Sequence, residues 1–213
     1  MGTTPSSPPA PPPPPSPRRT ELLDACYGYL LEHGLTGLSL RPLAAATGTS
    51  PRVLLYLFGS KDELLRQLLA RARHEQLGMM AAVLAEPTTA TTAAGTAGTA
   101  GTAGTAGDGF DALAESLWTF LSAPAQRPMV RLTYEAFLLS LSHDPGPWAG
   151  FAGEAARDWL DLLVRAQPPD TPPALAETRA TRALALIRGL LLDLLACGDD
   201  GRVRTAAAHD WQR

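Results

Sequence analysis

The sequence has few cysteines, few aromatic residues and no long apolar segment. Cys26 and Cys197 are its only cysteines. They are too far apart in sequence for a disulfide framework, so we expect two buried, reduced thiols. The four histidines show no metal-ligand spacing. The most apolar run, residues 183–197, contains Arg188 and Asp193 and is too short to span a bilayer. A signal-peptide pattern is also missing. We therefore expect a soluble, cytoplasmic protein that binds no metal and no membrane.

The residue pattern of a catalytic site is missing as well. No nucleophile is paired with a base in a recognisable spacing. The glycine-rich repeat from Gly95 to Ala106 lacks the lysine and the preceding strand of a phosphate-binding loop. The sequence thus predicts a protein that is not an enzyme and needs no cofactor.

Two low-complexity stretches divide the chain. Residues 1–17 are almost all Pro, Ser, Thr, Ala and Gly, which predicts a disordered tail. Residues 88–107, rich in Gly, Thr and Ala, predict a flexible linker. Elsewhere apolar residues recur at helical spacing and strand patterns are nearly absent. We predict an all-α protein with a three-helix domain at 18–59, a connecting helix at 60–87 and a C-terminal helical domain at 108–213.

Charge is distributed unevenly along this chain of net charge -3. The segment from Arg18 to Glu75 carries eight basic and six acidic side chains, and the remainder carries ten basic and fifteen acidic ones. This uneven charge distribution is compatible with an N-terminal part that binds phosphates and a C-terminal part that does not.

Helix-start and helix-stop residues delimit four predicted helices over residues 18–33, 40–47, 51–58 and 61–85. Gly34 fits the C-terminal cap of the first helix, and Ser39 fits the N-cap of the second. Ser50 fits the N-cap of the third. Ser60 and Glu63 have the spacing of a capping box at the start of the fourth.

The second and third predicted helices have the arrangement of a helix-turn-helix, because both are short and the turn between them contains Gly48. Their inward residues are expected to be Leu43, Ala44, Val53, Leu54 and Leu57. Ser50, Arg52 and Tyr56 remain on the outer face, where Arg can read guanine and Ser or Tyr can bond phosphates. Lys61, the only lysine in the chain, could grip a phosphate together with the free N–H groups that begin the fourth helix.

A resemblance to the DNA-binding motif of the TetR family is carried by residues 38–65, LSLRPLAAATGTSPRVLLYLFGSKDELL. Residues 22–34, LLDACYGYLLEHG, resemble that family's first helix. The resemblance implies a bacterial all-helical homodimer that binds a palindromic double-stranded DNA operator and is released by a small-molecule effector. It also implies that the DNA-binding residues are Ser39, Arg41, Ser50, Pro51, Arg52, Tyr56 and Lys61.

The motif departs from the family pattern at three places. Leu55 and Tyr56 stand where Tyr and His are usual, which shifts the aromatic phosphate contact by one position. Pro51 replaces a common lysine and removes one backbone donor. Pro42 replaces a common acidic residue, and it is tolerated in the first turn of a helix because that N–H is free anyway.

Four longer helices and one short helix are predicted in the C-terminal domain, over residues 108–122, 125–143, 147–166, 173–197 and 202–211. The helix at 173–197 is apolar nearly all round after Ala183, so we expect a second subunit to cover one of its sides. The resemblance also places a four-helix dimer interface there, made with the helix at 147–166. Arg188 and Asp193 on this apolar helix could pair with each other or meet a ligand.

Aromatic residues of the C-terminal domain are candidates for the lining of an effector pocket. The candidate lining is Trp118, Tyr134, Phe137, Trp148, Phe151 and Trp159. So apolar a lining favours a hydrophobic or aromatic effector.

Two functional hypotheses follow from these patterns. The first is a TetR-like DNA-binding repressor with a ligand-binding and dimerisation domain. The alternative is a helical protein-interaction module that has kept the fold without specific DNA binding.

Overall fold

A computed structural model of the chain describes residues 16–85 and 106–211, which form nine α-helices and no strand. The N-terminal helices are α1 (Pro17–His33), α2 (Leu40–Ala46), α3 (Pro51–Phe58) and α4 (Lys61–Ala85). The C-terminal helices are α5 (Ala106–Leu121), α6 (Arg127–Ser140), α7 (Phe151–Arg165), α8 (Pro173–Cys197) and α9 (Asp200–Trp211). Short 3-10 turns at Pro124–Gln126 and Gly146–Trp148 precede α6 and α7. The predicted all-α fold is confirmed.

Capping residues account for the bounds of the N-terminal helices. The Ser50 hydroxyl accepts a hydrogen bond from the Val53 N–H at 3.3 Å, and the Ser60 hydroxyl accepts one from the Glu63 N–H at 3.0 Å. The Glu63 carboxylate bonds to Arg66 and Gln67 instead of reaching back, so only half of the predicted capping box forms. Ser39 occupies the N-cap position of α2, but its side chain makes no capping bond.

Helix starts in the C-terminal domain differ from the predicted ones. The structure begins α6 at Arg127 rather than at 125, because a 3-10 turn precedes it. It begins α7 at Phe151 rather than at 147, because Gly150 adopts the left-handed conformation with φ 81° and separates the preceding turn from the helix. Residues 106–107 of the predicted linker are helical. The predicted tail up to residue 15 and the linker residues 88–105 lie outside the described residues.

Two apolar cores meet along α4. The N-terminal core contains buried residues of α1 to α4 and extends into α6 and α7 through Leu132, Ala136, Phe151 and Ala155. The C-terminal core contains buried residues of α5 to α9 and reaches α4 at Met80. Helix α4 thus contributes its first turns to one core and its last turns to the other.

Burial within the helix-turn-helix follows the predicted pattern with one exception. Leu43, Ala44 and Leu54 are buried, and Leu57 is half-buried. Val53 is 39% exposed, so its predicted inward position is wrong. Phe58 occupies the core at the end of α3 instead.

The two cysteines are both free, but only one is buried. Burial raises the pKa of the Cys26 thiol to about 11, although a hydrogen bond with Thr47 opposes the shift. Cys197 is exposed at the end of α8, where its thiol donates a hydrogen bond to the Asp193 carboxylate at 3.1 Å. The prediction that both thiols are buried is therefore wrong for Cys197. Within residues 16–85 and 106–211, no helix combines the length and apolar character needed to cross a bilayer.

Candidate DNA-binding surface and ligand cavity

Helix α3 presents one apolar face and one polar face. Leu54 and Phe58 are buried, and one side of the helix is thereby held against the N-terminal core. Ser50 and Arg52 are exposed, and Tyr56 is 86% exposed. Arg52 and Tyr56 are four residues apart and therefore lie on the same face of the helix. The outward position predicted for these three residues is confirmed.

Arg19 of α1 helps to set the position of α3. Its guanidinium donates to the Leu57 carbonyl at 3.2 Å and to the Gln67 side chain of α4 at 2.6 Å. Because Leu57 lies in the last turn of α3, a cation at this point also compensates the negative end of the helix dipole. No sequence pattern indicates this link among three helices.

Lys61 has a neighbour that the sequence did not reveal. Its ammonium donates a 2.6 Å hydrogen bond to the Leu38 carbonyl, in the loop before α2. An ammonium has three N–H donors, and the side chain is exposed, so donors remain for an anion. The bond places Lys61 close to Ser39, the residue after Leu38. Ser39 and Arg41 are exposed as well, whereas Pro51 is half-buried at the start of α3.

The segment that contains α2 and α3 carries only positive charge. Between Glu32 and Asp62 the sequence contains no acidic residue, and its basic side chains are Arg41, Arg52 and Lys61 besides one histidine. Among the described residues, Arg41 and Arg52 take part in no ion pair. An exposed cationic surface without neutralising carboxylates attracts polyanions such as the DNA backbone.

A partly enclosed cavity lies between α4, α6, α7 and α8. Its volume is about 50 Å³, below the range of about 300–1,000 Å³ usual for small-molecule pockets, so a ligand has to displace lining side chains or extend into the opening to solvent. Its lining is Gln76, Val130, Thr133, Tyr134, Phe137, Ala155, Trp159, Arg188 and Leu191. The lining is mainly apolar and includes a single charged side chain.

Three of the six predicted pocket aromatics meet at this cavity. Tyr134, Phe137 and Trp159 line it. Trp118 is buried in the C-terminal core, while Phe151 belongs to the N-terminal core and Trp148 packs against it. Helical spacing does not reveal which aromatic faces a cavity, because that depends on how the helices pack. The sequence analysis missed Gln76 and Thr133 as lining residues.

Arg188 is the charged residue of the cavity. Its guanidinium lies 5.1 Å from the ring centroid of Phe137 and 5.6 Å from that of Trp159. The predicted alternative of an ion pair with Asp193 is wrong, because Asp193 pairs with Arg202 instead. Residues five apart on a helix point about 140° away from each other, so the two side chains diverge.

Helix α6 lines the cavity with one face and contacts the N-terminal domain with another. The Leu35 N–H donates to the Glu135 carboxylate at 2.5 Å, and the Arg131 guanidinium donates to the Leu31 and Glu32 carbonyls at 3.1 Å each. These two side chains of α6 thus bind the last turn of α1 and the residues after it. Since Tyr134 is adjacent to Glu135, one helix connects the cavity to the N-terminal domain.

One face of α8 is both apolar and exposed. Leu192 is 48% exposed, and it lies in a shallow groove with Ala185, Leu186, Gly189, Leu190, Asp193 and Ala196. The other face packs in the C-terminal core through Leu184, Ile187, Leu191 and Leu194. The small residues of the exposed face would let another helix approach closely.

Comparisons with known proteins agree with this architecture. Residues 22–68 match the family model described as bacterial regulatory proteins, tetR family. No curated protein matches the chain. A candidate TetR-family transcriptional regulator from Rhodococcus sp. has a similar structure, with a TM-score of 0.59, 19% identity and coverage of 92% of this chain and 95% of that one.

Two other similar structures were solved with ligands. A candidate transcriptional regulator from Saccharomonospora viridis, in complex with choline, has a TM-score of 0.63 at 19% identity and covers 90% of this chain and 92% of its own. Multidrug binding protein EbrR, complexed with ethidium, has a TM-score of 0.58 at 24% identity over 90% of this chain and 97% of its own. At these identities the likeness concerns the fold.

Proposed function

Because the helix-turn-helix domain is that of the tetR family of bacterial regulatory proteins and the whole chain has the fold of such a regulator, we propose that this chain is a cytoplasmic transcriptional repressor. It would bind a palindromic operator as a homodimer and leave it when a small molecule binds. The observation that carries the proposal is the exposed cationic surface formed by Arg41, Arg52 and Lys61, in a segment that has no acidic residue from His33 to Lys61.

In the proposed complex, α3 enters the major groove of double-stranded DNA. Arg52 reads a base edge or a phosphate, and the Tyr56 and Ser50 hydroxyls bind phosphates. Ser39, Arg41 and Lys61 bind the backbone beside the groove, where the N–H groups at the start of α4 also face the anion. Pro51 has no N–H to offer and sets the direction of the first turn of α3.

The proposed homodimer forms through the exposed face of α8, together with α7. A second copy would cover Leu192 and remove its apolar surface from water. We expect Leu192→Glu to shift the protein toward monomer in sedimentation velocity experiments, because the charge would be buried without a partner. Leu138→Glu is the matched control, since Leu138 is 63% exposed on α6. Equal sedimentation of the two variants would argue against this interface.

The proposed effector site is the cavity between α4, α6, α7 and α8. Choline and ethidium bound to the two similar proteins support the view that this fold accommodates small organic molecules. A ligand that displaces Tyr134 or Thr133 moves α6, and α6 holds the end of α1 through Arg131 and Glu135. Operator affinity falls only if the ligand prefers the arrangement that does not fit DNA.

The decisive test is fluorescence anisotropy with DNA that flanks the gene, measured over a salt series. Wild-type protein is expected to bind one palindrome with an affinity that falls steeply with salt. Arg52→Ala should weaken binding without loss of stability, because the side chain makes no ion pair among the described residues. Arg165→Ala, which removes an equally exposed arginine from α7, is the control. Equal weak binding to all DNA would contradict the proposal and favour the protein-interaction module.

A further inference from the structure

The cavity contains a cation without a counter-ion. Arg188 is half-buried, and no described carboxylate lies within 4.0 Å of its guanidinium. The acidic side chains nearest in sequence and on the neighbouring wall are already paired: Asp193 with Arg202, and Asp158 with Arg73. Charged side chains that lose their water are normally paired with an opposite charge. Arg188 is an exception within the described part of the chain.

The surroundings of Arg188 hold the guanidinium in place but do not neutralise it. The rings of Phe137 and Trp159 lie against it at 5.1 and 5.6 Å, and such stacking orients a guanidinium plane. The Tyr134 hydroxyl donates to the Arg188 backbone carbonyl at 2.5 Å, which fixes this turn of α8 beside the cavity. Burial lowers the pKa of Arg188 and the neighbouring Tyr134 opposes this shift, so the site gives the cation less stabilisation than water does.

A ligand can supply the missing charge. A carboxylate accepts two parallel N–H bonds from a guanidinium, and such a pair is stronger in a partly water-excluded site than at the surface. The rest of the lining is apolar apart from Gln76, Thr133 and Tyr134, so the rest of the ligand should be apolar as well. A cationic ligand would face Arg188 in the same small volume and be repelled.

We propose that the cavity binds small organic carboxylates, with the carboxylate on Arg188 and the apolar part against Phe137 and Trp159. The inference deepens the effector role given above. It rests on that proposed function only for the release of DNA, because binding in the cavity does not require DNA.

The test compares two small probes of nearly equal shape, benzoate and its neutral amide, benzamide, by isothermal titration calorimetry. Wild-type protein is expected to bind the carboxylate at least tenfold more tightly than the amide. Arg188→Gln should remove this preference by weakening the carboxylate at least tenfold, while the amide changes little. Arg188→Lys should keep part of it, because a lysine retains the charge without the bidentate geometry. Arg165→Gln, which removes one exposed positive charge from α7, should behave as wild type.

The wild-type comparison requires no variant, so a folding defect in Arg188→Gln cannot leave the question open. Equal binding of the two probes by wild-type protein, or binding of neither, would overturn the assignment of the cavity to carboxylates. Operator release is measured separately, by anisotropy in the presence of benzoate. Carboxylate binding without any DNA binding would contradict the repressor and leave the cavity assignment intact. DNA binding with no carboxylate preference would do the reverse.

Discussion

Replacing Gly34 by alanine tests the contact between α6 and the end of α1. Gly34 has φ 78° and ψ -172°, a region essentially restricted to glycine that costs other residues about 1–3 kcal/mol. A Cβ at this position would lie 2.8 Å from both carboxylate oxygens of Glu135. The carboxylate would then have to move and release the Leu35 N–H, and a hydrogen bond to a charged group contributes about 1.5–3 kcal/mol. We expect a total loss of about 2.5–6 kcal/mol in the free energy of unfolding.

Two further variants separate the steric contact from the backbone strain. Gly37→Ala is the first, because Gly37 also has a positive φ, 73°, but nothing lies within 4 Å of the added Cβ. It should cost only about 1–2 kcal/mol. Glu135→Ala is the second. In that background Gly34→Ala should cost about 1.5–3 kcal/mol less than in wild type, because the carboxylate that it strikes is gone.

Urea unfolding followed by circular dichroism measures all four proteins of the cycle. Protein concentration must be held constant, because the stability of a homodimer depends on it. Additivity of Gly34→Ala and Glu135→Ala within about 0.5 kcal/mol would refute the reasoning, since residues that share a contact should not be additive. The same Glu135→Ala variant should also show a weaker effect of cavity ligands on DNA affinity.

Three further experiments test local features of the structure. Ser60→Ala should lower the free energy of unfolding by about 1 kcal/mol, whereas Ser39→Ala should change it little, because only Ser60 makes a capping bond; equal losses in urea unfolding would contradict this. In the Cys197→Ser variant, Cys26 is the remaining thiol and should react with Ellman's reagent only after denaturation. At pH 8 a pKa of about 11 leaves roughly one thiolate in a thousand. Fast reaction of the native protein would show that Cys26 is accessible. Leu54→Ala should cost about 2–5 kcal/mol by leaving a cavity under α3, and a near-neutral result in thermal unfolding would mean that α3 is not packed as described.

The bounds of the N-terminal helices could be predicted closely because they are set by capping residues within the same stretch of sequence. Pro51 begins α3 and Gly59 follows its last residue, and both act through the backbone of their own turn, so no tertiary contact is needed to place them. The outward position of Tyr56 follows from the same short-range periodicity. Val53 was misplaced because β-branched apolar residues are usually inward, whereas here the narrow buried stripe of α3 consists of Leu54 and Phe58.

The cavity could be predicted only in part, because its lining comes from four helices. Periodicity shows that Tyr134 and Trp159 are apolar-face residues, but it does not show that the two faces meet at an open space. Arg188 was considered together with Asp193, and only the packed structure places the arginine on two rings and the aspartate on Arg202. Long-range contacts of this kind produce no periodic pattern in the sequence from which they could be predicted.

Helix α4 extends from the end of α3 past the cavity, so a change of its tilt beside the cavity displaces its first residues. Its 25 residues span about 37 Å at 1.5 Å per residue, and Gln76 touches the cavity within its second half. A tilt of about 5° about the far end displaces the start of the helix by about 3 Å. In the proposed dimer, in which each subunit contributes one α4, the distance between the two α3 helices would change by up to about 6 Å, against the spacing of about 34–36 Å between successive major grooves. In the proposed dimer, a small angular change beside the cavity would therefore be enough to take both α3 helices out of register with the DNA.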